Sequence, residues 1–288
     1  MKRLNMLNLV RYFAMMMVVM AVAFVGCEDE VDSPIDPNIN TADSSSVVDD
    51  AEIEALFDDI ENVGIEAIGA ADPSSGGRYD NIEFMGCAII TANLLERTLT
   101  IDFGEGCEGP RGRLRSGKII ISYTGARDAI GSVVTTTFEN FFIDGRRIDG
   151  TRTVTNISEE GSDILKFRVT ITGGKVTWPD GTFATREVDR TKSWVPTDNQ
   201  EDDRVEFEGT ASGTTRRSVS YSVKINSALI IRRVCVEENN IYVPVQGEKL
   251  ITRSGRGDIT VDYGNGTCDR AITIRKGDRS IDIELTRD

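Results

Sequence analysis

The stretch TFATREVDRTKSW, residues 182–194, decides the fold of this chain. Along it, apolar or β-branched residues alternate with polar ones, and a period of two residues is typical of a β-strand. Nine further segments show the same alternation, and they are residues 98–103, 118–124, 133–142, 151–157, 165–172, 205–211, 218–225, 242–252 and 258–263. The pattern predicts that strands dominate the chain from Arg78 onward.

The connections between these segments are short and rich in turn-forming residues. Examples are Asp144-Gly145, Gly173-Gly174, Pro179-Asp180-Gly181 and Ser254-Gly255. Such breaks suit antiparallel hairpins and leave no room for the crossover helices that parallel strands need. Because no segment after residue 78 carries a sustained helical stripe, we predict an all-β domain over residues 78–288.

Neither face of the 182–194 strand is cleanly apolar. Its odd positions include Glu187 and Asp189, and its even positions include Arg186 and Arg190. This mixture predicts a wide antiparallel meander in which part of each strand is solvated on both faces. The alternative is a β-sandwich with long overhanging hairpins.

The composition limits the chemistry that this chain can perform. It has 288 residues, 39% of them hydrophobic, which is enough for a packed core, and it contains no histidine. The chain therefore has no imidazole metal ligand and no Ser-His or Cys-His nucleophile pair. Carboxylate chemistry, oxygen-ligated cations or a role without chemistry remain, and we predict a protein that is not an enzyme and uses no cofactor.

The first 26 residues have the features of a secretory leader. An apolar run from Tyr12 to Val25 follows three basic residues, Lys2, Arg3 and Arg11. The run is shorter than the roughly 20 residues of a membrane-spanning helix. The run leads into Phe24-Val25-Gly26-Cys27, which resembles a bacterial lipobox, with Phe24 in place of the usual Leu. We predict a signal peptide over 1–26 and lipidation of Cys27; the alternative is an ordinary signal peptide with an incidental cysteine.

The negative charge of the chain is concentrated after the leader. The net charge is −14, and residues 28–77 contain 15 acidic residues and no Lys or Arg. A segment of like charge repels itself and extends, so we predict an acidic tether over 27–50. Glu28-Asp29-Glu30 also resembles the export signal of surface-exposed lipoproteins in the Bacteroidetes; the alternative is that an acidic linker simply begins there.

A short helix is predicted within residues 51–77, before the β domain. Ile53, Leu56, Phe57, Ile60 and Val63 recur at spacings of three and four, which places them on one face of a helix. We expect this helix to dock on the β domain, and the alternative is a helix that binds a partner. The turn-forming residues 72–77 then end it.

Two stretches of the β domain repeat one another. LTIDFGEGC at 99–107 matches ITVDYGNGTC at 259–268, and a turn containing Gly117 or Gly277 lies 15 residues after the repeated Asp in each copy. The shared Asp, aromatic, Gly and Cys positions predict two related hairpin units near 87–124 and 235–286.

The repeated motifs are also the basis of a resemblance. TIDFGEGC with RSGKIIISYTG, TWPDGTFATREVDRTKSW, and GTASGTTRRSVSYSV with TVDYGNGTCDR are similar to a group of uncharacterised Bacteroidetes lipoproteins. The similarity covers most of residues 80–288. It implies a cell-envelope location and carries no activity with it.

Four cysteines remain once Cys27 is set aside, an even number for an exported protein. Three pairings are open to them. Cys87 and Cys107 flank a hairpin with its turn near 93–97, so we predict that they pair, and the repeat then predicts Cys235 with Cys268. A four-thiolate metal site is the rival, but the chain lacks CxxC spacing.

Two groups of residues are candidates for binding. Asp102, Glu105, Asp262, Asp269 and the acids of loop 198–203 could offer oxygens to Ca²⁺, although none has the spacing of a calcium loop and we expect no metal. Trp178 and Trp194 stand at the two ends of a hairpin and are predicted, speculatively, as a sugar-stacking ligand site; the alternative is that both are buried in the sheet.

Together these features predict an outer-membrane protein that is anchored by lipid and faces the cell surface. Its predicted role is non-enzymatic binding or structural work, with the membrane and a glycan or envelope protein as partners. Nucleic acid is not expected, because residues 78–288 are nearly neutral. The alternatives are a glycan-binding module for polysaccharide uptake and a carboxylate-based hydrolase.

Overall fold

The computed structural model describes residues 41–71, 82–93, 95–109 and 112–285, with side chains from Val47 onward. The predicted leader at 1–26, the lipidation site Cys27 and the acidic residues 28–30 lie outside the described residues. So does the whole of the turn predicted at 72–77.

The described chain is a helix followed by one long antiparallel sheet. Helix α1 spans Thr41–Ala70, and a second, short helix α2 spans Arg233–Asn239. The strands are β1 Ile82–Phe84, β2 Ala88–Asn93, β3 Thr98–Asp102, β4 Cys107–Glu108, β5 Leu114–Tyr123, β6 Val133–Ile143, β7 Arg146–Asn156, β8 Leu165–Thr177, β9 Phe183–Val195, β10 Arg204–Thr214, β11 Ser220–Arg232, β12 Gln246–Arg253, β13 Arg256–Asn265, β14 Ala271–Lys276 and β15 Arg279–Glu284.

The strand order confirms the predicted all-β meander. Each strand pairs with the next along the chain, except that β3 pairs directly with β5 and the short β4 pairs with β5 beside it. The described strands form one open sheet rather than the two packed sheets of a sandwich.

The sheet has two distinct ends, which the strand registers define. Pairs such as Thr98↔Ser122 and Arg204↔Val195 lie at one end. We call it the loop end, and its connections are 95–97, 124–132, 157–164, 196–203, 233–245 and 266–270. We call the opposite end the turn end, and its tight turns lie around 104–106, 144–145, 178–182, 215–219, 254–255 and 277–278.

Helix α1 packs on one face of this sheet and completes the core. The predicted stripe Ile53, Leu56, Phe57, Ile60 and Val63 is buried, in a single cluster with inward-facing residues from β2 through β14. Because this face of the sheet has no second sheet to cover it, the helix supplies the apolar surface that excludes water. The expectation that the helix docks on the domain is confirmed.

The boundary predicted between tether and helix is wrong. Residues 27–50 were expected to be extended, yet α1 begins at Thr41 and includes Ser44-Ser45-Ser46. Val47 and Asp50 are buried against the sheet, and that burial stabilises two further helical turns. Acidic residues in the first turns also suit a helix N-terminus.

Solvation on both faces of β9 is limited to its last residues, where Trp194 is exposed. Ala184, Arg186, Val188 and Arg190 form one buried face, whereas Glu187 and Asp189 are exposed on the other. The alternation therefore separates an inner from an outer face, and two of the inner side chains carry charge.

The repeated sequence forms the same local turn twice. The carboxylate of Asp102 accepts a hydrogen bond from the N–H of Gly104 at 2.9 Å, and Asp262 accepts one from Gly264 at the same distance. One turn lies at the turn end and the other at the loop end.

The second half of the repeat diverges in structure. Gly117 lies at a bulge inside β5 with φ +79°, where a Cβ would come within 1.9 Å of the Asn140 carbonyl oxygen. Gly277 instead lies in the hairpin turn between β14 and β15. The two units are therefore related only through the Asp-aromatic-Gly turn and its neighbouring cysteine.

Both predicted disulfides are confirmed. Cys87 pairs with Cys107 at a Cα–Cα distance of 5.5 Å, and Cys235 pairs with Cys268 at 5.0 Å. The first closes the hairpins near the β1 edge of the sheet. The second ties α2 to the loop after β13.

Candidate functional site

Helix α1 carries a stripe of acids beside its apolar stripe. Asp50, Glu54, Asp58 and Glu61 recur at spacings of four, four and three, so their side chains lie on one side of the helix. Glu52 and Asp59 flank this stripe. The helix therefore presents the sheet with both apolar and anionic surface.

The inner face of the sheet carries the matching bases. Arg115 on β5, Arg152 on β7, Arg186 and Arg190 on β9, and Lys249 on β12 are all buried. Each occupies an inward position in its strand, so it points to the side on which α1 lies. We use the name basic groove for this row of bases together with the helix acids that pair with it.

Asp50 lies at the most enclosed point of the groove. It accepts hydrogen bonds from Arg186 and, at 2.8 Å, from Lys249, and all three residues are at most 3% exposed. Burial alone would raise the pKa of Asp50, but the charges of Arg186 and Lys249 hold it well below its ordinary value. Burial would lower the pKa of Lys249, but Asp50 raises it. All three groups therefore remain charged at neutral pH.

Glu61 forms a second charged centre nearer the loop end. It pairs with Arg152 at 2.6 Å, Lys192 at 3.2 Å and Arg127 at 3.6 Å. Burial opposes ionisation of Glu61, but these cations, Arg152 foremost, lower its pKa to about 2.

Three further ion pairs extend the groove. Glu54 accepts from Arg190, Asp59 binds Arg115 through both carboxylate oxygens, and Glu52 pairs with Arg146 at 2.7 Å. The pairs reach from β5 to β12, so they fix the helix across most of the width of the sheet.

Asp58 differs from its neighbours because it pairs with no cation among the described residues. It lies beside the acids Glu54 and Glu61, at a small cleft between α1 and the strands β7 to β10. Part of its surface remains open to solvent, yet the surrounding protein displaces much of its hydration. This desolvation, followed by the charges of Glu54 and Glu61, raises the pKa of Asp58 to about 6.

The cleft itself is too small for an organic substrate. Its volume is about 40 Å³, which holds on the order of three ordered waters at ~10–15 Å³ each. Ligand pockets are typically several hundred Å³, roughly ten times larger. Arg190, which lines the cleft, has two buried guanidinium nitrogens, Nε and one Nη, that have no hydrogen-bond partner among the described residues.

No protein-family model, curated protein or solved structure matches this chain. Among the described residues, no helix has both the length and the apolar character required to cross a membrane.

The chemistry that the groove offers is that of carboxylates held ionised by guanidinium and ammonium groups. These charges neutralise one another and hold α1 in place.

A second depression lies on the outer face of the sheet, over β8 to β11. It is wide and open, with a volume of about 550 Å³, and Thr and Ser hydroxyls, Glu187, Asp189 and Lys224 surround it. Asp189 is held there by Arg168 in an exposed bidentate pair. This surface has the character of an ordinary solvated strand face.

The structure does not bring Trp178 and Trp194 together. Trp178 lies in the turn before β9, is only 7% exposed, and is covered by the guanidinium of Arg216 at 4.4 Å from its ring. Trp194 lies at the other end of β9, eleven residues after Phe183, roughly 36 Å along a strand at ~3.3 Å per residue. The two rings therefore form no joint sugar platform.

Several of the acids considered for Ca²⁺ take structural roles in their loops. Asp102 and Asp262 cap the repeated turns, Asp269 accepts from the N–H of Ala271 at 3.0 Å, and Asp203 accepts from that of Thr197 at 2.8 Å. Across the described part of the chain, no three acidic or cysteine side chains group closely enough to hold a metal ion.

The sequence contained a signal for the basic groove that the strand analysis did not use. Arg186 and Arg190 alternate with Ala184 and Val188, which predicts that they share the buried face of β9. The acid stripe on α1 has helical spacing in the same way. Considering the two patterns together would have predicted buried pairing between them.

Asp58→Asn tests the electrostatics of the cleft. Below pH ~4, Asp58 is protonated in both the folded and the unfolded chain. Between pH ~4 and ~6 the folded chain binds more protons, so the contribution of Asp58 to stability falls as pH rises. After allowance for solvent screening of this exposed side chain, we expect Asp58→Asn to raise the free energy of unfolding by about 1 kcal/mol at pH 7.5 and to leave it unchanged at pH 4.

Urea unfolding of parent and variant at the two pH values measures this difference. Glu66→Gln, an exposed acid on the same helix, is the matched control and should follow the parent. If Asp58→Asn raises the free energy of unfolding as much at pH 4 as at pH 7.5, ionisation of Asp58 is not the cause of the stabilisation.

Proposed function

We propose that the chain is a lipid-anchored protein of the outer membrane, attached through Cys27 and facing the cell exterior, with a binding or structural role rather than an enzymatic one. The observation that carries the proposal is the pairing of Cys87, Cys107, Cys235 and Cys268 in two disulfides. Disulfides persist in oxidising compartments outside the cytoplasm. The lipobox-like residues 24–27 supply the means of attachment.

The occupation of the basic groove by α1 supports a role without catalysis. The inner face of the sheet is filled by α1, and the cleft that remains has room only for water. Three acids of α1 line this cleft, and two of them, Glu54 and Glu61, hold the helix in place because they pair with bases of the sheet. The outer faces and the loops are then the surfaces at which the protein meets other molecules.

Protease shaving of intact cells tests the predicted orientation. We expect the β domain to be digested on intact cells, because the acids at 28–30 resemble a surface-export signal. Replacing Glu28, Asp29 and Glu30 by Ser should leave the domain protected until the outer membrane is permeabilised. Replacing Asp32 and Asp36 by Asn is the matched control and should leave digestion unchanged.

Detergent partitioning of the same proteins tests the anchor separately. The parent should enter the detergent phase, and a Cys27→Ala variant should lose the lipid from its mass and move to the aqueous phase. An unchanged mass and partition in Cys27→Ala would refute the anchor. Protection of the parent β domain on intact cells would refute the outward orientation alone.

A further inference from the structure

Arg190 has hydrogen-bond donors at the cleft between α1 and the sheet that the protein itself does not satisfy. Its side chain lies on the inner face of β9, is only 7% exposed and lines the cleft. One Nη donates to Glu54, whereas Nε and the other Nη have no hydrogen-bond partner among the described residues. Buried polar groups in folded proteins almost always have a partner, and an ordered water or an ion supplies it where the chain does not.

The two unsatisfied nitrogens form one edge of the guanidinium, which donates two nearly parallel hydrogen bonds. Such a fork suits an anion, because both N–H groups point at the same negative charge. Elsewhere in the chain this edge holds a carboxylate. Nε and one Nη of Arg168 donate to Asp189 at 2.9 and 2.7 Å. Those of Arg115 donate to Asp59 at 3.2 and 2.7 Å. At Arg190, no acid of the described chain accepts from that edge.

Arg186 adds a third unsatisfied nitrogen to the same cleft. It precedes Arg190 by two residues on β9, so the two side chains leave the inner face about 7 Å apart. Arg186 is 1% exposed and lines the cleft. One of its Nη atoms has no hydrogen bond and lies 3.5 Å from a carboxylate oxygen of Glu54. Two guanidinium groups thus direct positive charge and unsatisfied donors at one small space.

The charges around the cleft do not cancel. Four bases line it, against the three acids Glu54, Asp58 and Glu61. The groups that pair with these residues from outside the cleft do not reverse the excess, because Asp50 is matched there by Lys249. A positive excess in a poorly hydrated place is costly unless an anion neutralises it.

The three acids of the cleft are engaged elsewhere or exposed. Glu54 accepts from the other Nη of Arg190. Glu61 is shared between Arg152 and Lys192. Asp58 is exposed and pairs with no cation among the described residues. The partner for the unsatisfied edge of Arg190 therefore comes from solution.

The dimensions and the walls of the cleft select among anions. Its volume of about 40 Å³ holds on the order of three waters, which favours a monatomic anion over phosphate or sulfate. Chloride occupies hardly more room than a water molecule. Apolar side chains form much of the remaining wall, and they are Phe57, Val169, Ile171, Val188 and Phe207. Such a wall penalises the loss of hydration, so a weakly hydrated anion such as chloride is preferred to fluoride.

We infer that the cleft is a binding site for one weakly hydrated monovalent anion of the size of chloride, held by Nε and Nη of Arg190 beside the positive charge of Arg186. The bound ion completes the neutralisation of the basic groove at the point where the acids of α1 leave a donor edge uncovered. The seating of the helix is thereby coupled to the anion of the surrounding medium. This binding requires neither lipidation of Cys27 nor a particular orientation of the domain.

Line broadening in chloride NMR measures the site directly. We expect the full chain to broaden the chloride signal saturably, and bromide to reverse the broadening by competition. Fluoride, gluconate and phosphate at the same ionic strength should compete at least tenfold more weakly than bromide, because they are too strongly hydrated or too large. Competition by phosphate as effective as that by bromide would place the anion on the protein surface and overturn the proposal.

Arg190→Lys isolates the donor edge. Lysine keeps a positive charge for Glu54 but has no edge formed by Nε and Nη, so chloride should bind at least tenfold more weakly. Arg168→Lys is the matched control, because Arg168 lies on the outer face of the neighbouring strand β8. This control should broaden the chloride signal as the parent does.

Asp58→Asn tests the same site in the opposite direction. The substitution removes a negative charge from the wall of the cleft, so at pH 7.5 chloride should bind at least threefold more tightly. Glu66→Gln, which changes an exposed acid elsewhere on α1, should leave the affinity for chloride unchanged. Equal affinity in Asp58→Asn and the parent would contradict binding in the cleft.

Urea unfolding gives a second readout and shows whether each variant is folded. Replacing gluconate by chloride at constant ionic strength should raise the unfolding midpoint of the parent, because a ligand that binds only the folded chain stabilises it. The midpoint of Arg190→Lys should not change. If Arg190→Lys does not fold in gluconate, bromide competition and Asp58→Asn decide. Equal broadening by the parent and a folded Arg190→Lys, or no saturable broadening by the parent, would overturn the proposal and assign the unsatisfied donors to water.

Discussion

Asp50→Asn is expected to lower the free energy of unfolding by about 3–5 kcal/mol, because removing one member of a buried charged group leaves its partners uncompensated. The partners are Arg186 and Lys249, both almost completely buried. Glu54 lies 3.5 Å from Arg186 and 3.8 Å from Lys249, too far to replace the lost hydrogen bonds. Urea unfolding followed by circular dichroism measures the change.

Glu52→Gln is the control for this effect. Glu52 is on the same helix and pairs with Arg146, but both side chains keep a fifth or more of their surface exposed. A pair of this kind contributes about 0–1 kcal/mol, so the loss should be no larger than that. If the two variants lose the same free energy of unfolding, the burial of Asp50 adds nothing to the stability that its ion pairs provide.

Removal of the Cys235–Cys268 disulfide is expected to lower the free energy of unfolding by about 3–4 kcal/mol, from the entropy that the cross-link removes from the unfolded chain. The bridge closes a loop with a sequence separation of 33. Cys235 is fully buried with Ile241 and Val245 in a small satellite cluster beside the main core. We therefore choose the double variant Cys235→Ala, Cys268→Ala, which keeps an apolar side chain at both positions.

Reduction provides the control for the disulfide prediction. Dithiothreitol should destabilise the parent by more than it destabilises the double variant, in which only Cys87–Cys107 remains to be reduced. If the double variant unfolds at the same urea concentration as the oxidised parent, the bridge does not constrain the unfolded chain as proposed.

The strand pattern was sufficient to predict the sheet. Because side chains alternate between faces and connections are short, the stretch 182–194 and its relatives could pair only with their neighbours in antiparallel order. The disulfides followed from the same logic, since Cys87 and Cys107 flank one hairpin and the repeat relates Cys107 to Cys268.

The start of α1 and the burial of Arg186 could not be predicted in the same way. An acidic segment considered by itself repels itself and is expected to be extended. A strand with inward arginines, considered by itself, lacks the apolar face that marks burial. Each becomes stable only against the other, because Asp50 neutralises Arg186 and Lys249 where neither cation reaches water. Local composition describes a segment in solvent, and pairing between distant segments appears only in the folded chain.

The coupling free energy between Asp50 and Lys249 tests most directly the central claim that an acidic helix is held in a basic groove by buried charge. It is obtained from a double-mutant cycle of Asp50→Asn, Lys249→Met and the two together. We expect the double variant to be more stable than the sum of the single effects by about 2 kcal/mol. Additivity of the two substitutions within about 0.5 kcal/mol would contradict the claim.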